Sequence, residues 1–329
     1  MKPKVLVCRA TFDEVIAQLR ESYEVEDNQT EDREFDFEEL KRRMADKDAV
    51  LVFGGERING PMADACPRLK VVCSVAVGVN NLDLPALTER GIVATNTAGT
   101  LDETTADMVW ALMLAAARRV TESERWLRTG VWKGWKNDQF LGQDIFGATL
   151  GIIGMGRIGK AVARRARGFE MRVLYHNRHR VAPEIERELG VVYAGMEQLL
   201  RDSDFVTLNL PYSRESHHLI GAAQIALMKP TAIIVNAARG GIIDDAALVQ
   251  ALRARRIAGA GIDVFEGEPR LHPGFYELDN VALAPHIASA TRATRMKMNR
   301  LALENLAAAL SGKTPPNLLN PEVLPKRRR

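Results

Sequence analysis

The stretch Gly151-Ile-Ile-Gly154-Met-Gly156-Arg-Ile-Gly159 decides the reading of the chain. It begins inside an apolar run, residues 149–153, that reads as a buried strand, and it opens a helical pattern. Gly154, Gly156 and Gly159 stand in GxGxxG spacing, and each glycine has its own reason to be there. Gly154 permits the tight turn out of the strand, Gly156 lets the backbone approach a pyrophosphate, and Gly159 lets the helix pack against the strand. The helix N-terminus carries partial positive charge and unpaired amides, which favour phosphate. Glycine-rich strand-to-helix turns also arise for structural reasons alone. What points this one toward a dinucleotide is its βαβ setting.

The next strand bears on which dinucleotide. An NAD site usually has a carboxylate about 20 residues downstream, where it binds the ribose 2′-hydroxyl. Here residues 172–175 run into His176-Asn177-Arg178-His179-Arg180, with no carboxylate among them. Asn177, Arg178 and Arg180 offer polar and charged contacts to a 2′-phosphate instead, so NADP(H) is expected in preference to NAD(H). A solvated basic loop would explain the arginines equally well, but not the missing acid.

The same alternation runs through the rest of the chain. Residues 5–8, 23–25, 49–52, 71–74 and 93–95 read as strands, with helical segments between them. Seven more strands are expected at 149–153, 172–175, 191–193, 205–208, 232–236, 260–264 and 281–283. Strands without a polar face, separated by crossover helices, mean parallel sheets and an α/β fold. The segment 103–119 is Ala, Leu and Met rich nearly all round, as expected of a buried helix at a domain junction. A long helix over 289–310 then closes the chain and is free to return to the first domain.

Composition narrows the function classes. A chain of 329 residues is long enough for two domains, and 46% hydrophobic with 26% charged residues is ordinary globular composition. Forty-five Lys and Arg against 42 Asp and Glu leave a net charge of +3, too balanced for a chain-wide field that recruits nucleic acid or membrane. The basic run 326–329 reads as a frayed, solvated tail. Cys8, Cys66 and Cys73 form no CxxC pair, so neither a disulfide framework nor a metal site is expected. No apolar run reaches the roughly 18 residues of a membrane span, and residues 5–8 are too short for a secretory signal core. A cytoplasmic protein is expected.

At this point the sequence resembles the D-isomer-specific 2-hydroxyacid dehydrogenases over essentially its whole length. It most resembles the branch that reduces glyoxylate, hydroxypyruvate and 2-ketogluconate. The likeness rests on Ser74-Val-Ala-Val-Gly78-Val-Asn-Asn-Leu-Asp83, Glu103-Thr-Thr-Ala-Asp107, the Gly154 loop, Val235-Asn-Ala-Ala-Arg239-Gly240, Gly261-Ile-Asp-Val-Phe-Glu-Gly-Glu268-Pro269 and Pro285-His286-Ile-Ala-Ser289-Ala-Thr291. The resemblance implies two Rossmann-like doubly wound domains with a cleft between them. Residues 1–99 with 290–329 would be the smaller, flavodoxin-like substrate domain, and 100–289 the NADP-binding domain.

Carried onto these positions, the resemblance makes Arg239 the grip on a substrate carboxylate. His286 becomes the acid that protonates the carbonyl oxygen, and Glu268 the carboxylate that orients its ring. On spacing alone Glu266 rivals Glu268. Only the resemblance, which puts the acid immediately before Pro269, separates them. Val77 and Gly78 would offer amides to the substrate, and Ser289 would border it. Arg157, Ile158 and Thr105 would lie along the cofactor, as would Pro211, Ala237, Ala238 and Asp263. Glu103, Asp102 and Asp107 read as cap and helix-surface groups, and His217 and His218 as exposed loop residues.

Two departures from the pattern, Asn80 and Ala288, touch substrate fit more than reaction type. The segment 130–140, with Trp132 and Trp135, resembles a dimer arm, or else packs two aromatics locally. The expected activity is NADPH-dependent reduction of a small 2-oxo acid by a homodimer. The alternatives are another dehydrogenase of the family, such as one acting on 3-phosphoglycerate, and a dinucleotide-sensing corepressor without catalysis.

Overall fold

The structure, a computed structural model, describes residues 2–31 and 33–328. The chain divides into two compact units, Met1–Leu101 with Thr291–Arg329, and Asp102–Ala290.

The first unit holds five strands, β1 (Lys4–Val7), β2 (Glu24–Asp27), β3 (Ala49–Val52), β4 (Val71–Ser74) and β5 (Val93–Thr95). They pair in parallel in the order β2-β1-β3-β4-β5. The order follows from composition. β3 and β4 are apolar but for Ser74 and wholly buried, so they sit inside, whereas Glu24-Val-Glu-Asp27 keeps two glutamates and an aspartate half in water and takes an edge. That polarity also displaces the strand from the expected 23–25. Cys8, Cys66 and Cys73 are buried and unpaired in this unit.

The long C-terminal helix runs Arg292–Leu310, starting three residues later than expected because Thr291 caps it through a hydrogen bond from the Thr294 amide. It lies in the first unit, where Met298, Ala302, Leu303 and Leu306 join the core under β1, β3 and β4. The basic tail is not frayed. Arg328 Nη1 donates to the carbonyls of Cys66, Pro67 and Leu69, and its amide donates to Gly91 O at 2.9 Å. Arg329 lies outside the described residues.

The second unit holds β6 (Thr149–Ile153), β7 (Arg172–His176), β8 (Val191–Tyr193), β9 (Phe205–Leu208), β10 (Ile233–Asn236), β11 (Gly259–Ile262) and β12 (Val281–Leu283). All pair in parallel, in the order β12-β11-β10-β9-β6-β7-β8. The winding reverses between β6 and β9, and doubly wound sheets bind ligands at such a switch point, beyond the carboxyl ends of the strands. The glycine loop leaves β6 there.

The apolar helix Asp102–Ala117 belongs to this unit. It lies against the Arg157–Ala166 helix and against β10 and β11, and Trp110 stacks on Phe169 at 4.6 Å between centroids. Glu103 and Asp107 pair with Arg164 and Arg165 on its exposed side. No helix among the described residues is long and apolar enough to cross a membrane.

Candidate active site

Three adjacent parallel strands bring the chemistry together. β10 ends at Asn236 and leads to Arg239, β11 ends at Ile262 and leads to Asp263 and Glu268, and β12 ends at Leu283 and leads to His286. Because β10, β11 and β12 are neighbours, residues up to 47 positions apart emerge at one edge of the sheet.

His286 Nδ1 lies 2.7 Å from Glu268 Oε2, while Glu268 Oε1 accepts the Phe265 amide at 2.8 Å. Burial pushes the Glu268 carboxyl up, but the hydrogen bonds from His286 and Phe265 and the nearby charges of His286 and Arg239 outweigh it and hold it below its ordinary value. An ionised carboxylate only accepts, so Nδ1 carries a proton and Nε2 is the nitrogen left to face a substrate. Glu266, the rival on spacing, is engaged elsewhere: its carboxylate pairs with His218 at 2.9 Å.

Arg239 is partly buried. Burial lowers its proton affinity and Glu268 opposes that change, and a guanidinium stays charged at neutral pH. Its Nη1 donates to Ala238 O at 2.6 Å. Asn236 fixes the loop that carries it, with Oδ1 accepting the Ala238 amide and Nδ2 donating to Arg239 O, both at 3.0 Å. The sequence reading did not single out Asn236, although an asparagine at a strand end is suited to such a turn. Gly240, next to Arg239, lies directly on the Phe265 carbonyl, and any side chain there would collide with it.

Asp263 is fully buried. Its two carboxylate oxygens accept the Ile287 and Ala288 amides at 2.8 Å, and its backbone carbonyl accepts the His286 amide at 2.8 Å. Burial raises its carboxyl above the ordinary range, against the pull of those amides. Asp263 therefore clamps the His286 loop, in which His286 itself sits at φ +54°. Ser289 follows, half-buried.

The glycine loop has the shape a dinucleotide requires. Gly154 has φ +100°, and a Cβ there would lie 2.5 Å from Asn209 O. At Gly159 a Cβ would strike the Gly154 carbonyl. A Cβ on Gly156 would meet nothing within 4 Å, so this glycine, which caps the ten-residue Arg157–Ala166 helix, presents bare backbone to open space. Asn177 Oδ1 accepts the Met155 amide at 2.7 Å and ties the end of β7 to the loop.

Beside it the basic segment divides. Arg180 grips both oxygens of Glu186, at 2.7 and 2.6 Å, and Glu186 also accepts from Tyr175 Oη at 2.5 Å. These contacts hold the Glu186 carboxyl down at about 2. Arg178 is exposed, with no ion pair among the described residues. Thr105 is buried in the first turns of the Asp102–Ala117 helix, Arg157 lies 3.2 Å from Asp102, and Ile158, Ala237 and Ala238 are buried or half-buried around the loops. Pro211 is exposed after β9. Val77 and Gly78 are half-buried in the loop after β4 of the first unit, where Asn96 Nδ2 donates to Val77 O at 2.9 Å.

The family model described as D-isomer specific 2-hydroxyacid dehydrogenase, NAD binding domain, matches residues 110–288. The chain is 48% identical over 328 residues to a glyoxylate reductase of Thermococcus onnurineus, covering 98% of both chains. A solved structure of a Thermus thermophilus protein matches with a TM-score of 0.89 at 41% identity, covering 96% of this chain and 99% of that one. The NADPH-dependent glyoxylate/hydroxypyruvate reductase of Sinorhizobium meliloti, in complex with NADP and malonate, matches with a TM-score of 0.87 at 32% identity, covering 100% of this chain and 99% of that one.

Proposed function

The chain belongs to the D-isomer specific 2-hydroxyacid dehydrogenase family and is an oxidoreductase of 2-oxo acids, and from that premise we propose that it reduces glyoxylate and hydroxypyruvate, and 2-keto-D-gluconate as a larger substrate, with NADPH in preference to NADH. The observation that carries the reading is the 2.7 Å contact between His286 and Glu268, beside Arg239, at the ends of three adjacent strands.

The residues divide the work by charge. Arg239 offers a planar, permanently charged fork to the substrate carboxylate and fixes the C2 carbonyl against the proton donor. His286, its Nδ1 proton held by Glu268, gives a proton from Nε2 to the carbonyl oxygen as that oxygen gains charge. Glu268 stabilises the imidazolium before transfer, and Asp263 holds the loop that aims the ring. A nicotinamide held here would supply the hydride that C2 accepts, giving the 2-hydroxy acid. Gly154, Gly156 and Gly159 would hold the pyrophosphate over the helix N-terminus, and Arg178 would meet the 2′-phosphate.

The amides of Val77 and Gly78 are further proposed donors to the substrate carboxylate. The assembly proposed for the enzyme is a homodimer. Following NADPH absorbance with glyoxylate, hydroxypyruvate and 2-ketogluconate in turn tests the reading. Turnover of glyoxylate that is lost in His286→Ala supports it. Binding of NADPH without turnover of any of the three would overturn it in favour of a sensor, and turnover of 3-phosphoglycerate alone would reassign the substrate.

A further inference from the structure

Apart from Arg239, Glu268 and His286, the residues His217, His218 and Glu266 bring two imidazoles and a carboxylate together on the surface of the second unit. One ligand atom from each lies within 4.8 Å of the others, and all three side chains are open to solvent. The two imidazoles stack at 3.9 Å between centroids, and His218 Nε2 lies 2.9 Å from Glu266 Oε2. The geometry points to a binding site for a divalent transition ion of the zinc type, held by His217, His218 and Glu266 with water in the open position.

The donor chemistry suits that class of ion. Two nitrogen ligands and one carboxylate oxygen form a zinc ligand set, whereas magnesium and calcium prefer oxygen alone. In tetrahedral coordination, bonds of about 2.0–2.1 Å separate neighbouring ligand atoms by roughly 3.3 Å. The His218–Glu266 pair therefore has to open by only a few tenths of an ångström to admit the ion.

His217 also has an orienting partner: its Nδ1 lies 3.2 Å from Tyr212 Oη, the kind of outer-shell contact that orients a metal-binding histidine and leaves Nε2 for the ion. His218 turns Nε2 toward Glu266, with Nδ1 3.9 Å from the Asp244 carboxylate, too far for a hydrogen bond. The backbone prepares the ligands too. The His218 amide donates to Gly241 O at 2.8 Å, and the Glu266 amide donates to Asp245 at 3.0 Å. An ion bound here would tie the loop 217–218 to the segment 265–268 that carries Glu268.

The test is a titration of the whole protein with Zn²⁺ against a chromophoric chelator at pH 7.5. The expected result is one equivalent bound, with affinity falling at least about tenfold in His218→Ala and in Glu266→Gln, and with His286→Ala binding as the parent does. These three positions are exposed, and circular dichroism of each variant checks that it is folded. Absence of saturable binding overturns the proposal. So does binding that survives both substitutions, or binding that is lost only in His286→Ala, which would place the ion at the catalytic histidine.

Discussion

Arg180 and Glu186 form a two-point ion pair in which Nε lies 2.7 Å from one carboxylate oxygen and Nη2 2.6 Å from the other. The pair engages one of the two arginines that the sequence offers to a 2′-phosphate and leaves Arg178 exposed beside Asn177. The expected outcome is that NADPH exceeds NADH by at least about tenfold in kcat/KM, since one charge-assisted hydrogen bond contributes about 1.5 kcal/mol or more. Arg178→Ala erodes that preference through the KM for NADPH, and Arg180→Ala does so less. Steady-state kinetics with both cofactors check this, and equal use of the two by the unaltered enzyme refutes it.

His286→Ala should lower kcat by about 10² to 10⁴ while NADPH binding, followed by fluorescence, stays nearly intact. Glu268→Gln keeps the shape and removes the charge beside the ring. The ring then loses the carboxylate that holds its Nδ1 proton, so kcat for reduction falls while the KM for NADPH stays near that of the parent. An unchanged kcat would separate Glu268 from this role.

Asp245 gives a stability prediction of definite sign. Burial raises its carboxyl to about 6, with the Glu266 amide pulling the other way. Its folded value thus lies above the unfolded one of about 3.9, and the folded state binds the proton more tightly. Stability contributed by this group is present below pH 4 and is lost as pH rises through 6. Asp245→Asn mimics the protonated form and still accepts the amide. Between pH 4 and 7 it should therefore gain on the parent by on the order of 1–2 kcal/mol, with solvent screening allowed for. Thermal unfolding of both proteins across that range measures the crossing.

The segment after the Val120–Arg128 helix places an apolar surface in water. Val131 and Trp132 are half exposed, as is Leu127 at the end of that helix, Trp135 is 79% exposed, and Leu141 and Phe146 lie farther along the chain. Trp132 Nε1 donates only to Gly134 O nearby, so local packing does not cover these rings. Exposed apolar clusters of this kind mark interfaces, and two-fold closure is the commonest solution. Sedimentation at micromolar concentration should give a dimer, and Trp135→Ala should weaken it or impair the larger substrates. A monomer in the unaltered protein overturns the assignment.

The strands of both sheets were legible because a buried parallel strand must be apolar on both faces, and runs such as 49–52 and 205–208 have no other use in a folded chain. Residue 23, expected to begin β2, lies just outside it because an edge strand tolerates Glu24, Glu26 and Asp27, which hide it from a hydrophobic pattern. The glycine loop was legible because Gly154 and Gly159 each exclude a side chain and Gly156 stands between them in the spacing that leaves bare backbone. The partners of Arg180 and Glu266 were not. Glu186 lies in the following helix, and His218 lies 48 residues from Glu266, so only the fold brings them into reach. The tail was misread for the same reason: Arg328 looks like free charge until the carbonyls of Cys66, Pro67 and Leu69 surround it.

The contact of Gly240 with the Phe265 carbonyl sets a mechanical limit on the enzyme. The loop that carries Arg239 and the loop that leads to Glu268 are seated backbone against backbone, and Asp263 joins the His286 loop to the same layer. Arg239, Glu268 and His286, the proposed grip, orienting acid and proton donor, are thus joined through one layer of backbone at the strand ends. On the proposed function a longer acid meets the same three groups at its carboxylate and C2, and its extra length has to be accommodated by side chains outside that layer.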